Sequence, residues 1–455
     1  MQNTGRSAGE AGWRISRYNI SAPVPGAEKM VIANLFRMTC GVYTPAELYL
    51  LDELDELDED HPILKRFAKR GLIVNFDERA ALESLARVAC SDGQTVTLCI
   101  CPTMACNFDC PYCFETHSPG RMDRQTREDV VRLAGRMVEA AGAKHLEIVW
   151  FGGEPLLAAE IIEDLSGQLM QLAGSRGIRY SAFIVTNGYL LTQPLADLLG
   201  RCGVEEAQIT LDGIGAAHDA TRHLSGGGGT FDRITGNLRD LKLPFKVKIR
   251  HNVHGENRGQ IREMKELAET LSRESGNRIT CYAADVSGND ASDSRGADIQ
   301  LLCGGELEEL QLPRDAEAFT GKAGMYCAAS RLYYVNIDTD GRLYKCMEEV
   351  DKPDHHFGSA ATWDPADPVM TADHPENMTR FLNTALPNGD AECRDCVWLP
   401  VCAGGCPNQR LFYRRCCLPY KDDPEKYVLA LHARMQQKKQ PVSSPDGKDP
   451  SLPSG

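Results

Sequence analysis

The sequence predicts an α/β protein built on a parallel sheet, with a small module before it and a cysteine-rich region after it. Two observations carry that prediction. Between residues 95 and 283, apolar strand patterns alternate with amphipathic helix patterns through six β/α units. The 18 cysteines of the 455 residues gather mainly at 106–113 and between 327 and 417, where regular periodicity fades. The remainder is ordinary for a globular chain, with 42% hydrophobic and 25% charged residues. A net charge of −14 argues against nucleic acid or an anionic membrane as the main partner.

In the first region, residues 17–40 read as two extended runs around the turn-prone PVPG of Pro23 to Gly26. Thr44-Pro45 opens a helix, with Thr as N-cap and Pro at the first helical position. Leu48, Leu51 and Leu54 or Leu57 form its apolar face. A second helix carries Leu64 and Phe67 and stops at Gly71, before the strand-like LIVNF. Strand, helix, helix, strand is compatible with a small winged-helix-like module over 1–94. The strands of the second region are TVTLCIC (95–101), HLEIVWF (145–151), SAFIV (181–185), AQITL (207–211), FKVKIRHNV (245–253) and RITCYA (278–283). Helices such as REDVVRLAGRMVEAAG and QIREMKELAETL fill the gaps, so the sheet is either open and doubly wound or an incomplete barrel. In both, loops after the strands' C-terminal ends build the site. From about Gly304 to Tyr420, metal rather than a large apolar core is expected to hold the chain together. DDPEKYVLALHARMQ reads as a terminal helix, followed by a disordered tail.

CNFDCPYCFE, Cys106 to Glu115, sets three cysteines at C-x3-C-x2-C spacing in the loop after the first strand of the six. Disulfides want an even number, and structural zinc usually wants four ligands. Three suggests a metal centre with one position open, such as a four-iron cluster held through three irons. The bland alternative is a zinc-binding or reactive triplet completed from elsewhere. Further on, Cys327 precedes Gly341 and Cys346, then Cys393-x2-Cys396-x5-Cys402-x3-Cys406, then Cys416-Cys417. Thiolate count alone also allows one tetrahedral zinc at the four-cysteine run. Cys40, Cys90, Cys99, Cys101 and Cys202 read as packing cysteines.

With aromatic Tyr112 before its last cysteine, the first trio resembles the radical S-adenosylmethionine (SAM) superfamily. The later cysteines resemble that superfamily's SPASM extension. The resemblance covers about residues 95–420. It implies an incomplete (β/α)6 barrel over 95–303, a SPASM domain over 304–421, and a terminal helix and tail over 422–455. It further implies three [4Fe-4S] clusters and SAM, whose reductive cleavage yields a 5′-deoxyadenosyl radical. Cys106, Cys110 and Cys113 would hold the SAM-binding cluster. Cys327, Cys346 and Cys406 would hold the first auxiliary cluster, and Cys393, Cys396, Cys402 with Cys417 or Cys416 the second. An eighth auxiliary cysteine is missing before Cys327; Cys303 or Cys281 is the expected substitute, or the iron stays open. Gly152, Gly153 and Glu154 resemble the motif that meets the SAM amino group, and Thr186-Asn187 lies where relatives place the ribose. Gln208 and Asp212 end the fourth strand, Arg222 would pair with the SAM carboxylate, and Arg250 is a weaker candidate.

Within the superfamily, the expected activity is that of a maturase acting on a ribosomally made precursor peptide and installing a crosslink, foremost a cysteine thioether. The alternative is a sulfatase-maturing, formylglycine-generating enzyme, but relatives of that kind carry Asp after the cysteine of G-x4-C. Here Met347 follows Cys346; Glu348 is the substitute acid/base, though it points elsewhere if its segment is extended. Outside enzymes, an iron–sulfur electron carrier or zinc-structured binding protein needs only the cysteines. The expected partners are a precursor with its leader, docked on the first module as an added strand, and a reductant such as flavodoxin or ferredoxin. Neither nucleic acid nor membrane is expected. Deleting residues 1–85 is expected to abolish precursor binding and spare SAM cleavage. No signal segment or apolar span is read, so a reducing cytoplasm is the expected location.

Overall fold

The computed structural model describes residues 12–58, 60–254, 257–285, 326–386, 390–413, 417 and 421–437. Cys303, Cys416 and the C-terminal tail expected from the sequence lie outside the described residues.

The first module opens with β1 (Arg14–Ile15), β2 (Asn19–Pro23), β3 (Met30–Asn34) and β4 (Thr39–Tyr43). It continues through α1 (Pro45–Asp52), α2 (Pro62–Arg70), β5 (Ile73–Val74) and α3 (Glu78–Ser91). Strands β2, β3 and β4 form an antiparallel sheet in that order, and β1 pairs with β5. Thr44 caps α1 in a capping box with Glu47, an arrangement that contributes about 1 kcal/mol. Two elements go beyond the sequence reading. β4 (TCGVY) is half-exposed and carries a glycine, so its alternation is faint. The buried face of α3 includes Ala86, Ala89 and Cys90, small residues that give little helical hydrophobic signal.

Six parallel strands follow: β6 (Thr95–Ile100), β7 (His145–Trp150), β8 (Arg179–Thr186), β9 (Val204–Leu211), β10 (Lys246–Val253) and β11 (Ile279–Asp285). Between them lie α4 (Arg124–Ala141), α5 (Ala159–Ser175), α6 (Gln193–Arg201), α7 (Ala216–Thr221), α8 (Phe231–Asp240) and α9 (Ile261–Ser275). Each strand pairs with the next in sequence, without the order reversal of a doubly wound sheet. Leu98, Ile148, Ile184, Ile209 and Ile249 share one buried cluster with residues from α4, α5, α6, α8 and α9. The helices therefore cover one face, as in a barrel that curls around the other.

Residues 326–386 depart from expectation. β12 (Tyr334–Ile337) adds parallel to β6, and β13 (Arg342–Tyr344) and β14 (Gly358–Ser359) continue antiparallel, making nine strands in all. Val335, Leu343, Phe357, Trp363 and Met378 join the barrel's own core, so apolar burial and sheet pairing hold this segment. The expectation of metal in place of a core fails here because YVNI, only four residues long, is buried throughout and shows no alternation.

The remaining helices are α10 (Pro375–Leu382), α11 (Ala391–Arg394), α12 (Leu399–Cys402), α13 (Pro407–Phe412) and α14 (Pro424–Gln437). α14 returns to the first module. Tyr427 and Val428 share a buried cluster with Ile20 and Val31 of the N-terminal sheet, Leu82 and Ala86 of α3, and Trp398. Trp398 meets Tyr427 edge-on at 4.9 Å between ring centroids.

Candidate functional site

The loop leaving β6 carries Cys106, Cys110 and Cys113, all half-buried. It is tied down on several sides. Phe108, 1% exposed, anchors it in the core; Asp109 N donates to His223 O at 3.1 Å, and Ser225 N donates to Asn107 O at 3.0 Å. The GGE segment after β7 runs against the same loop. Gly153 N donates to Thr103 O at 3.3 Å, and Glu154 N donates to Ala105 O at 2.9 Å. A Cβ on Gly153 would stand 2.3 Å from Met104 O, and one on Gly152 would stand 2.4 Å from Thr103 O. These glycines thus admit the cysteine loop's own backbone, a close approach of chain to chain.

Glu154 is fully buried, and its carboxylate is committed to neighbouring protein groups. It accepts from Leu156 N at 3.0 Å, Thr186 Oγ1 at 2.7 Å and Asn187 N at 2.7 Å. Burial pushes its carboxyl up, opposed by those donors. Asn187 Nδ2 in turn donates to Asn107 Oδ1 at 2.9 Å, beside Cys106. GGE and TNG, distant in sequence, are therefore one brace for the cysteine loop.

A second group forms at the ends of β9 and β10. Tyr112 Oη donates to Asp212 Oδ2 and accepts from Arg222 Nη1 at 2.9 Å and Asn252 Nδ2 at 3.3 Å. Thr221 Oγ1 donates to Asp212 Oδ2 at 2.8 Å. The Arg222 guanidinium lies over the Phe108 ring, 5.7 Å from its centroid. Burial opposes its charge, yet Tyr112, Asp212 and Cys110 around it hold its pKa above the ordinary value. Among the described residues, Asp212 Oδ1 and Arg222 Nε are buried with no hydrogen-bond partner. Arg250 is one step removed, its Nε donating to Asn252 Oδ1 at 2.8 Å. Gln208 lies apart on β9, accepting from Tyr282 Oη at 2.7 Å. Asn107, His218, Thr221 and Asn252 were not singled out from sequence. The signal available was the polar run HDATR and the Asn at the end of β10.

Burial pushes the thiol of Cys106 up to about 12 and that of Cys113 up to about 11. Glu115, nearly sealed from water, is pushed up to about 8 by burial and then by Asp351 and Glu154. Cys113, Glu115 and His117 bring ligand atoms within 4.8 Å of one another, with Cys113 Sγ 3.1 Å from His117 Nε2.

The later cysteines fall into two electrostatic neighbourhoods. After burial, Cys346 is held up by Glu348, Cys327 and Cys406, and Cys406 by Glu348 and Cys327. Cys402 feels Cys396 and Cys417. Cys393, beside Cys396, lies on the short helix α11, and its charge acts on Arg410 together with those of Cys402 and Cys406. Cys281 belongs to neither neighbourhood. It sits on β11, at the far end of the six parallel strands from β12, and packs against the barrel core. Glu348 is not on extended chain, as the sequence reading allowed; residues Met347–Glu349 form a 3-10 turn.

The Radical SAM superfamily profile matches residues 100–268, from the end of β6 through most of α9, and takes in the whole cysteine loop. The chain carries a radical SAM domain. Its sequence is 26% identical over 171 residues to the PqqA peptide cyclase of Gluconobacter oxydans, covering 37% of this chain and 44% of that one. It is 28% identical over 172 residues to a probable GTP 3′,8-cyclase of Saccharolobus solfataricus, covering 37% and 51%. The chain thus spans about half or less of the length of these curated relatives. A solved structure, anSMEcpe with bound AdoMet, matches 75% of this chain and 94% of that one, with a TM-score of 0.54 and 18% identity. The fold is therefore the α/β partial barrel of radical SAM enzymes.

Radical SAM enzymes use a four-iron cluster and SAM, and the donors present fit both. Three thiols that burial disfavours as bare thiolates suit a cationic cluster as partner. Buried, and unpartnered among the described residues, Asp212 Oδ1 and Arg222 Nε suit a ligand carrying both an amino and a carboxylate group.

Proposed function

We propose that this chain is a radical SAM maturase of a ribosomally made precursor peptide, installing a crosslink of which a cysteine thioether is the favoured form. The observation that carries the peptide substrate is the N-terminal sheet. Among the described residues it ends in β4, which pairs only with β3 and so offers an edge for an added strand. Beside that edge, Thr39, Arg66, Lys69 and Arg70 line a cleft, suited to an acidic extended leader in a chain that is otherwise acidic. The relatives include both a peptide cyclase and a probable GTP cyclase at similar identity, so the choice of a peptide rests on the first module.

In the proposed arrangement, Cys106, Cys110 and Cys113 hold the SAM-binding cluster and Arg222 pairs with the SAM carboxylate. Tyr112 and Asp212 fix the guanidinium in place, while GGE and TNG hold the cysteine loop to the sheet. When bound, cluster and SAM supply reductive carbon–sulfur cleavage and hydrogen abstraction. Two auxiliary clusters are assigned to Cys327, Cys346 and Cys406, and to Cys393, Cys396, Cys402 and Cys417, with Cys416 the alternative in the second. A small flavin or iron–sulfur protein would supply the electron. Among the described residues no helix is long and apolar enough to cross a membrane.

Co-expression with a short cysteine-containing reading frame from the same locus, followed by mass spectrometry, tests the activity. The expected outcome is loss of two hydrogens per crosslink, abolished by Cys110→Ala. Turnover of GTP with no change in any peptide would overturn it. For docking, the paired change Lys69→Glu and Arg70→Glu should weaken precursor binding about tenfold or more. The same variant should keep the parental rate of peptide-independent SAM cleavage.

A further inference from the structure

Among the described residues the assignment of auxiliary ligands leaves one place unfilled: Cys327, Cys346 and Cys406 are three, Cys281 stands on β11 at the other end of the strand order, and Cys303 lies outside the described residues. The region around these thiols contains a carboxylate in a specific setting. Directly after Cys346 the chain turns into the 3-10 segment Met347–Glu349, which sets Glu348 on a tight turn two residues beyond the cysteine. From the other side, Asn408 Nδ2 donates to Glu348 Oε2 at 2.6 Å. Asn408 lies in the first turn of α13, whose N-cap is Cys406. The carboxylate thus bridges the segments that carry two of the three cysteines, held through Oε2 by the helix that follows Cys406. Cys90 approaches this region from α3 but is coupled to Cys327 alone among the three, with Lys345 also beside it.

We propose that Glu348 is the fourth protein ligand of the auxiliary cluster held by Cys327, Cys346 and Cys406, binding one iron through Oε1 while Asn408 orients it through Oε2. Ligating carboxylates are commonly held in this way by an outer hydrogen bond. The proposal rests on the auxiliary-cluster assignment above. It replaces a catalytic acid/base role for Glu348 with a ligand role, and it closes the cluster to substrate thiolates.

The test uses the full chain purified anaerobically, in a Cys110→Ala background that removes the SAM-binding cluster. About eight irons per chain are expected there, against about twelve in the parent. Glu348→Gln keeps the size and the Asn408 contact while removing the anionic ligand, and Glu348→Cys offers a thiolate in its place. The expected result is that Glu348→Gln retains the iron count but shifts the electron paramagnetic resonance signal of one reduced auxiliary cluster. The variant should also gain hyperfine coupling to added 13C-cyanide, which the background protein lacks. Glu348→Cys should lose the cyanide coupling again. An unchanged signal in Glu348→Gln would overturn the ligand role, as would the same changes produced by Cys303→Ala instead. Near-zero iron in the Cys110→Ala background would instead overturn the auxiliary assignment itself.

Discussion

Arg222 illustrates how one side chain draws its role from three others. Its Nη1 donates to Tyr112, Tyr112 donates to Asp212, and its Cζ lies 5.7 Å over the centroid of the Phe108 ring. A lysine could supply the charge but not the planar fork. Arg222→Lys should therefore weaken SAM binding by about ten- to a hundredfold, the equivalent of about 1.4–2.8 kcal/mol, as measured by equilibrium dialysis under anaerobic conditions. Behind this group, buried His218 accepts from Asp212 N at 3.1 Å and meets Thr230 Oγ1 at 3.0 Å. Burial, and then Arg222, hold its pKa down at about 3 against an ordinary 6.5. The folded state thus refuses a proton that the unfolded chain accepts below 6.5. Stability from this residue is full above that pH and is lost as pH falls toward 3, with a slope approaching about 1.4 kcal/mol per pH unit. His218→Gln should flatten that part of the profile in chemical denaturation from about pH 4 to 7. Arg222 could be picked from HDATR by resemblance. His218 could not, because a buried neutral histidine and an exposed one look alike in sequence.

Strands β6 to β11 were legible because each alternates or runs apolar over six to eight residues between helix patterns. Their sequential order, which separates a barrel from a doubly wound sheet, depends on pairing and was not. GGE shows the same division. Its place after β7 was evident, while its partner, the backbone of residues 103–105, emerged only in space. Gly153→Ala would drive a methyl against Met104 O and Ala105 O, neither of which can move without dragging the cysteine loop. The expected consequence is a variant that folds its barrel but incorporates less of the SAM-binding cluster, read as a loss of up to about four irons per chain. Normal iron content would show that the loop shifts freely. β12, β4 and α3 escaped notice for separate reasons: too short a run, too exposed a strand, and too many alanines and small residues on the buried face.

Across the molecule, the first module shares a core with the cysteine-rich region and α14. Ile20 and Val31 from the first module, Trp398 from the cysteine-rich region, and Tyr427 and Val428 from α14 are packed together, each nearly or fully buried. Deletion of residues 1–85 was expected from sequence to remove leader docking alone. The shared core changes that expectation, because the deletion would expose several large side chains, each worth about 1.5–3 kcal/mol when buried. The truncated chain should lose iron from the auxiliary region and show a lower thermal midpoint. Paired charge reversals at Lys69 and Arg70 are the cleaner probe of docking. An unaltered midpoint on deletion would show that the first module is energetically separate.

The cysteine spacings, the strand-and-helix beat and the polar residues at strand ends were enough to name the fold and the chemistry class, because each is a local pattern written in consecutive residues. Tertiary structure decided what those patterns touch. It turned GGE and TNG into a brace, curled the chain after Cys346 so that Glu348 meets Asn408, placed β12 on the barrel's edge, and joined the first module to the cysteine-rich region through α14. These contacts link residues tens to hundreds of positions apart. Their free energy comes from burial and pairing between segments, which no single stretch of sequence carries alone.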